Sequence, residues 1–237
     1  MNTGMYAAIS GNLTAMRSLE VISNNLANAA TPGFKADQLR FESVLANQNT
    51  GTPDPVFSRE TFYTDYSPGT ILQTENPMDL ALQGDGFFAV NTPQGTAYTR
   101  QGNFQRGVGG KLVTSEGYEV LGKSGPITVG GNKVSISPNG AVTADGVAVG
   151  SLNIVDFPKP YQFTKLGAGL LVPANPQAQG TASTAEVKQG YLEGSNVNVV
   201  AEMARMIETS RYFETCTKAI KSYDEITTKA ANDLGKI

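Results

Sequence analysis

The chain has 237 residues, 16% of them charged, and a net charge of −3; charged residues usually make up roughly a quarter of a globular domain. It contains no histidine and one cysteine, Cys216, which excludes Ser-His and Cys-His catalysis, histidine-bound metals, zinc fingers and intrachain disulfides. No basic stripe marks a nucleic-acid surface, and no apolar run approaches the roughly 18 residues of a membrane-spanning helix, so neither nucleic acid nor membrane insertion is expected.

From Met1 to about Ala30, apolar residues fall at Met5, Ile9, Leu13, Met16, Leu19, Ile22 and Leu26. Spacings of three and four are the helical period. Only Arg17 and Glu20 are charged there, whereas ordinary surface helices carry charge on their wet side. The helix should end near Thr31-Pro32-Gly33, because Pro32 restricts the residue before it and cannot extend the ladder. The first residues lack the basic and apolar regions of a Sec leader, so none is expected. Asn24, Asn25 and Asn28 crowd the helix end, where asparagine weakens a helix. Two readings are open: a capped, fraying terminus, or a buried polar layer that fixes the register of neighbouring subunits.

The middle of the chain holds 20 of the 26 glycines, between Gly84 and Gly194. Short β-prone runs such as Phe87-Phe88-Ala89-Val90, Gly117–Leu121 and Leu152–Val155 alternate with turn signals, the pattern of an all-β sandwich or irregular barrel. Asn139-Gly140 and Asp145-Gly146 predict hairpin turns. Asn47–Tyr66 and the Pro/Gly/Ala/Gln-rich Pro158–Thr184 read as loops or linkers. Gly84-Asp85-Gly86-Phe87-Phe88-Ala89 formally matches a dinucleotide fingerprint, but it opens a strand where that motif must open a helix, so a turn is expected.

From Val197 to Leu234 neither Pro nor Gly intervenes, and a helix of this length spans roughly 55 Å. Val199, Met206, Phe213, Ile220 and Leu234 keep a seven-residue repeat, with Thr227 in the fifth slot; Met203, Ile207, Cys216, Tyr223 and Ala230 widen the seam. Such a heptad points to coiled-coil packing. The expected class is therefore α+β, with coiled-coil-like N- and C-terminal α-helices flanking a central all-β, Gly-rich domain. The segments are 1–34 (N-terminal axial helix), 35–75 (extended linker), 76–190 (central β domain) and 191–237 (C-terminal axial helix).

Several long motifs carry a resemblance. Asn24-Asn25-Leu26-Ala27-Asn28 followed by Thr31-Pro32-Gly33-Phe34-Lys35 is similar to the N-terminal signature of bacterial flagellar rod and hook proteins. Gly190–Val200 with Glu202-Met203 and Met206-Ile207 resembles their C-terminal signature, and Asn76–Phe88 and Tyr98–Phe104 agree in the middle. Asp65-Tyr66-Ser67-Pro68-Gly69 and the length resemble the proximal rod subfamily more than the distal one. The resemblance implies an axial structural subunit of the basal-body rod, with no catalytic residue, metal or cofactor. It implies partners too: other rod proteins, further copies in a helical assembly, and the flagellar type III apparatus that exports the chain without a cleaved signal peptide. On this reading Ile9, Leu13, Met16, Ile22 and Leu26 meet Val199, Met203, Met206, Phe213, Ile220 and Leu234, while Asn24, Asn25 and Asn28 set register. Three alternatives stand beside it: a distal rod protein of the same family, a carboxylate-pair glycosidase drawing on Asp65, Glu75, Asp79 and Asp85, and a non-flagellar secreted β-rich adhesin.

Overall fold

The computed structural model describes residues 2–44, 57–131 and 133–234. The chain divides into two units, one made of residues 1–29, 36–65 and 197–237, the other of residues 30–35 and 66–196.

The first unit pairs two helices, α1 (Asn2–Ala27) and α2 (Val199–Leu234). They run antiparallel: Gly4 lies against Tyr223, and Gly11 against Tyr212 and Cys216. Asn198 caps α2, its side-chain oxygen accepting from the Ala201 N–H at 3.1 Å, which satisfies one of the donors a helix start leaves open. Neither described helix is long and apolar enough to cross a membrane. The unit also contains an antiparallel hairpin, β1 (Asp37–Val44) and β2 (Phe57–Thr64), in register from Asp37–Thr64 to Val44–Phe57. This replaces part of the loop expected over Asn47–Tyr66; residues 45–56 of that segment lie outside the described residues. The hairpin base is closed by Thr64 Oγ1 donating to Asp37 Oδ1 at 2.6 Å and by Asp65 N–H to Ala36 O at 2.8 Å.

The second unit is β-rich. Its strands begin with β3 (Ile71–Gln73), β4 (Leu80–Gln83), β5 (Phe87–Thr92) and β6 (Gly95–Thr99). β5 is the pivot, pairing with β6, with Glu119–Gly122 and with Ile154–Asp156, all antiparallel. Its residues Phe87 to Val90 are all buried, because both faces are covered. Phe88 and Val90 join the main core with Leu80, Phe104, Val120 and Leu152. Phe87 points to the other face and packs with Val155, Phe157 and Leu171, as strand alternation requires. A continuous apolar run is what a strand buried on both sides needs.

The turns follow their chemistry. Asp145 and Gly146 both take positive φ (51° and 83°) and join Ala141–Ala144 to Val147–Ser151, the geometry of a two-residue type I′ hairpin. Gly84 and Gly86 also have positive φ and lead directly into β5, so the formal fingerprint is a turn before a strand. The loop expected over Pro158–Thr184 contains a hairpin instead, Phe163–Gly167 with Leu170–Pro173, turned at Ala168-Gly169. Its glycine and proline content masked it, but Leu170 and Leu171 are buried and the second strand continues the sheet beside β6.

Gly102 shows how tightly this unit is built. A methyl group there would land on the Leu80 carbonyl oxygen, which is backbone and has no room to yield. Gly102→Ala should destabilise the β unit by about 2–3 kcal/mol, read as a lower urea midpoint for that unit's transition; a loss below about 1 kcal/mol would contradict this packing.

Candidate assembly surface

α1 turns its small residues toward α2. Gly4, Gly11, Ala15 and Ile22, spaced seven, four and seven apart, share one face of the helix; Ala15 and Ile22 are buried. A methyl group on Gly11 would stand 2.8 Å from the Tyr212 hydroxyl and 3.1 Å from the Cys216 sulfur. The two helices therefore meet through tyrosines lying over glycines. The Tyr212 phenol is held above its ordinary pKa, first by its hydrogen bond to Cys216 and then by the charge of that thiol and by burial. Asn12 Nδ2 donates to Thr217 Oγ1 at 3.4 Å, while Asn12 Oδ1 is buried with no hydrogen-bond partner among the described residues.

The larger apolar side chains of α1 lie elsewhere. Met5, Ile9, Leu13 and Met16 are exposed, Leu13 by 53%. At 100° per residue they form their own stripe, distinct from the glycine face. α2 behaves alike. Met206, Phe213 and Ile220 are half-buried on the side of buried Glu202 and Cys216. Val199, Val200, Met203 and Ile207 are exposed, Val200 by 78% and Ile207 by 57%. The Leu234 side chain lies outside the described residues.

Within one chain, then, the α1 face that meets α2 is not the Ile9–Leu13–Met16 stripe. Ile22 is buried and Leu26 half-buried in the subunit itself. Periodicity located the apolar stripe, but glycine and alanine carried no weight in it, although small residues are what let two helices approach closely.

The asparagines divide. Asn25 is 1% exposed; its Nδ2 donates to Asp37 O at 2.8 Å and its Oδ1 accepts from Asp37 N–H at 2.9 Å. One donated and one accepted hydrogen bond of its amide therefore fasten the end of α1 to the start of β1 inside the chain. Asn28 Nδ2 donates to Asn24 O at 2.9 Å, a local cap on the last turn. Asn24 is exposed.

Of the acids weighed for hydrolytic chemistry, Asp85 and Asp79 are each engaged by a neighbouring side chain. Asp85 pairs with Lys159 at 2.7 Å, and that hydrogen bond holds its carboxyl below the usual range. Asp79 accepts from Asn76 Nδ2 at 3.0 Å. A groove of about 810 Å³ in the β unit is lined by Met78, Arg106, Lys133, Gln189 and Tyr191 among others, and Glu75 is its single carboxylate among the described residues. Carboxylate-pair chemistry needs two across the cleft.

Three family models match the chain: a flagella basal body rod protein model over residues 5–35, the flagellar hook protein FlgE/F/G D1 domain over 81–144, and the flagellar basal body rod FlgEFG protein C-terminal model over 188–234. A flagellar basal-body rod protein FlgF from Mesorhizobium japonicum is 33% identical, with 99% of each chain covered. The chain belongs to the flagellar basal-body rod protein family. A second FlgF, from Caulobacter vibrioides, is 33% identical over the full length of both chains, and a FlgG from Bacillus subtilis is 32% identical over 98% of this chain and 99% of its own. The rod subunit is FlgF-like, with FlgG as a near relative, and is a structural component of the flagellar basal body.

The matched segments contain the helix pair. The first covers most of α1 and the last nearly all of α2. Asn25→Ala would remove both side-chain hydrogen bonds to the part-buried Asp37 backbone, so amide exchange at Asp37 and along β1 should accelerate, consistent with a loss of about 1–3 kcal/mol; unchanged exchange at Asp37 would show that the Asn25 amide does not hold the hairpin.

Proposed function

We propose that this rod subunit assembles helically, with α1 and α2 as the axial elements. The observation that carries this reading is the pair of exposed apolar stripes, Met5–Ile9–Leu13–Met16 and Val200–Met203–Ile207, on helices that already cover each other's inner faces. Among the described residues of one chain nothing buries them. Each half-exposed Leu, Ile or Met that a neighbour covers contributes about 1 kcal/mol, from roughly 25 cal/mol per Å². Contacts that join one face of a copy to a different face of the next do not close, and they generate a helical tube. Coiled-coil-like packing between subunits through these stripes is the form such burial takes for long helices. Neighbours above and below are other rod proteins or further copies.

The role is structural and not enzymatic. A chain with one thiol and no disulfide to form suits unfolded export through the flagellar type III apparatus, with the helices reaching their final packing at the growing tip. The rod relatives' names support this reading.

Leu13→Glu and Ile207→Glu place a charge on each stripe without touching the α1–α2 contact. Each isolated variant should keep the wild-type circular dichroism and thermal midpoint, yet fail to enter basal bodies and leave cells non-motile. Val147→Glu, on an exposed strand of the β unit, should remain motile. Full motility with both helix variants would overturn the proposal.

A further inference from the structure

The β unit contains a buried ionic cluster that none of the preceding roles uses. Glu193, 1% exposed, accepts at Oε1 from Lys35 Nζ at 2.6 Å and from Gly69 N–H at 3.0 Å, and at Oε2 from Arg100 Nη1 at 3.1 Å. Lys35 and Arg100 are 4% and 6% exposed. Lys35 Nζ also donates to Ser67 O at 2.8 Å, and Arg100 Nη2 to Gly84 O at 2.6 Å. The guanidinium lies 5.4 Å above the Phe87 ring. One carboxylate thus serves two buried cations, backbone carbonyls accept further N–H groups from both, and Arg100 Nε is buried with no hydrogen-bond partner among the described residues. Taking the carboxylate away would leave both cations buried without a counter-charge, which is far more costly than losing the whole group.

The partners come from opposite ends of the unit. The backbone repeats the same joins: Gly33 N–H donates to Glu193 O at 2.6 Å, Gly194 N–H to Thr70 O at 2.8 Å, and Asn196 N–H to Phe34 O at 3.4 Å. Asn196 Nδ2 reaches Ser67 O and Oγ, each at 3.2 Å. Strands Glu186–Gln189 and Tyr191–Glu193 complete β4 and β3 respectively. The chain leaves this unit after Lys35, before Tyr66 and after Asn196; Lys35 belongs to the cluster, Tyr66 precedes Ser67, whose carbonyl Lys35 bonds, and Asn196 lies three residues after Glu193. The sheet around β5, β6 and Glu119–Gly122 does not contain residues 186–196.

We propose that the Lys35–Glu193–Arg100 cluster is a latch closed late in folding. The arrival of residues 190–196 closes the β unit and in the same step fixes its exits, after the sheet around β5 has formed. Because the chain emerges N-terminus first, Lys35 and Arg100 wait solvated until Glu193 reaches them. The latch is a property of the isolated subunit and does not depend on how the helices assemble.

The test is amide exchange by mass spectrometry on the full-length protein and on Glu193→Gln and Lys35→Met. Glu193→Gln keeps the shape and removes the charge. Exchange should rise at least tenfold at residues 31–35, 67–73 and 190–196 together, while 87–92 and 119–122 stay protected. Lys35→Met spares the Arg100–Glu193 pair, so the rise should be confined to 31–35 and 67–70. Acceleration at 190–196 alone, or none, would overturn the proposal. So would loss of protection throughout the β unit in Glu193→Gln, since the cluster would then belong to the core and not be a separable latch.

Discussion

Every apolar side chain that α1 leaves in water is a cost the single chain does not recover. A helix has one face to give to an intramolecular partner, and α1 gives its small one, with Gly4 under Tyr223, Gly11 under Tyr212 and Cys216, and Ala15 buried on the same face. That choice brings the two backbones close, and it leaves Met5, Ile9, Leu13 and Met16 outside. Exposed single apolar residues are ordinary, but stripes that repeat at helical spacing on both helices are not. The described helix pair is thus packed on one face and exposed on the other, and the proposed assembly is what would cover the exposed face.

The β unit solves a different problem. β5 is apolar on both faces and anchors two cores of opposite direction. Charge is then used in two ways. Lys159–Asp85 is a solvated surface pair that salt screens. Lys35, Glu193 and Arg100 are removed from water, where the geometry must be satisfied from several directions at once. The buried set fixes where the chain enters and leaves the unit, while the surface pair only decorates it.

Much of this was legible in the residues. The period of Ile9, Leu13, Met16 and Ile22 gives a helix directly, and Asp145-Gly146 gives its turn, because φ and spacing are local properties. What depends on distant partners was not legible. Asn25 looks like a fraying cap until Asp37 is seen to lie against it. Lys35, Arg100 and Glu193 look like three surface charges, since nothing local announces that residues 35 and 193 meet. The hairpin at Asp37–Thr64 and the strands at Phe163–Pro173 were hidden by proline and glycine, which mark turns but do not show that the segments between them pair. The inner face of α1 was missed for a related reason: a search for large apolar residues passes over glycine and alanine.

The central claim is that the exposed stripes of α1 and α2 are covered by neighbouring subunits. Methionine oxidation reads this directly, because Met5, Met16 and Met203 all lie on the stripes and all are exposed in the single subunit. Peroxide footprinting of the isolated protein and of purified basal bodies, followed by peptide mass spectrometry, should show rapid oxidation of all three in the free subunit and strong protection in the rod. Equal oxidation in the two states would contradict the account.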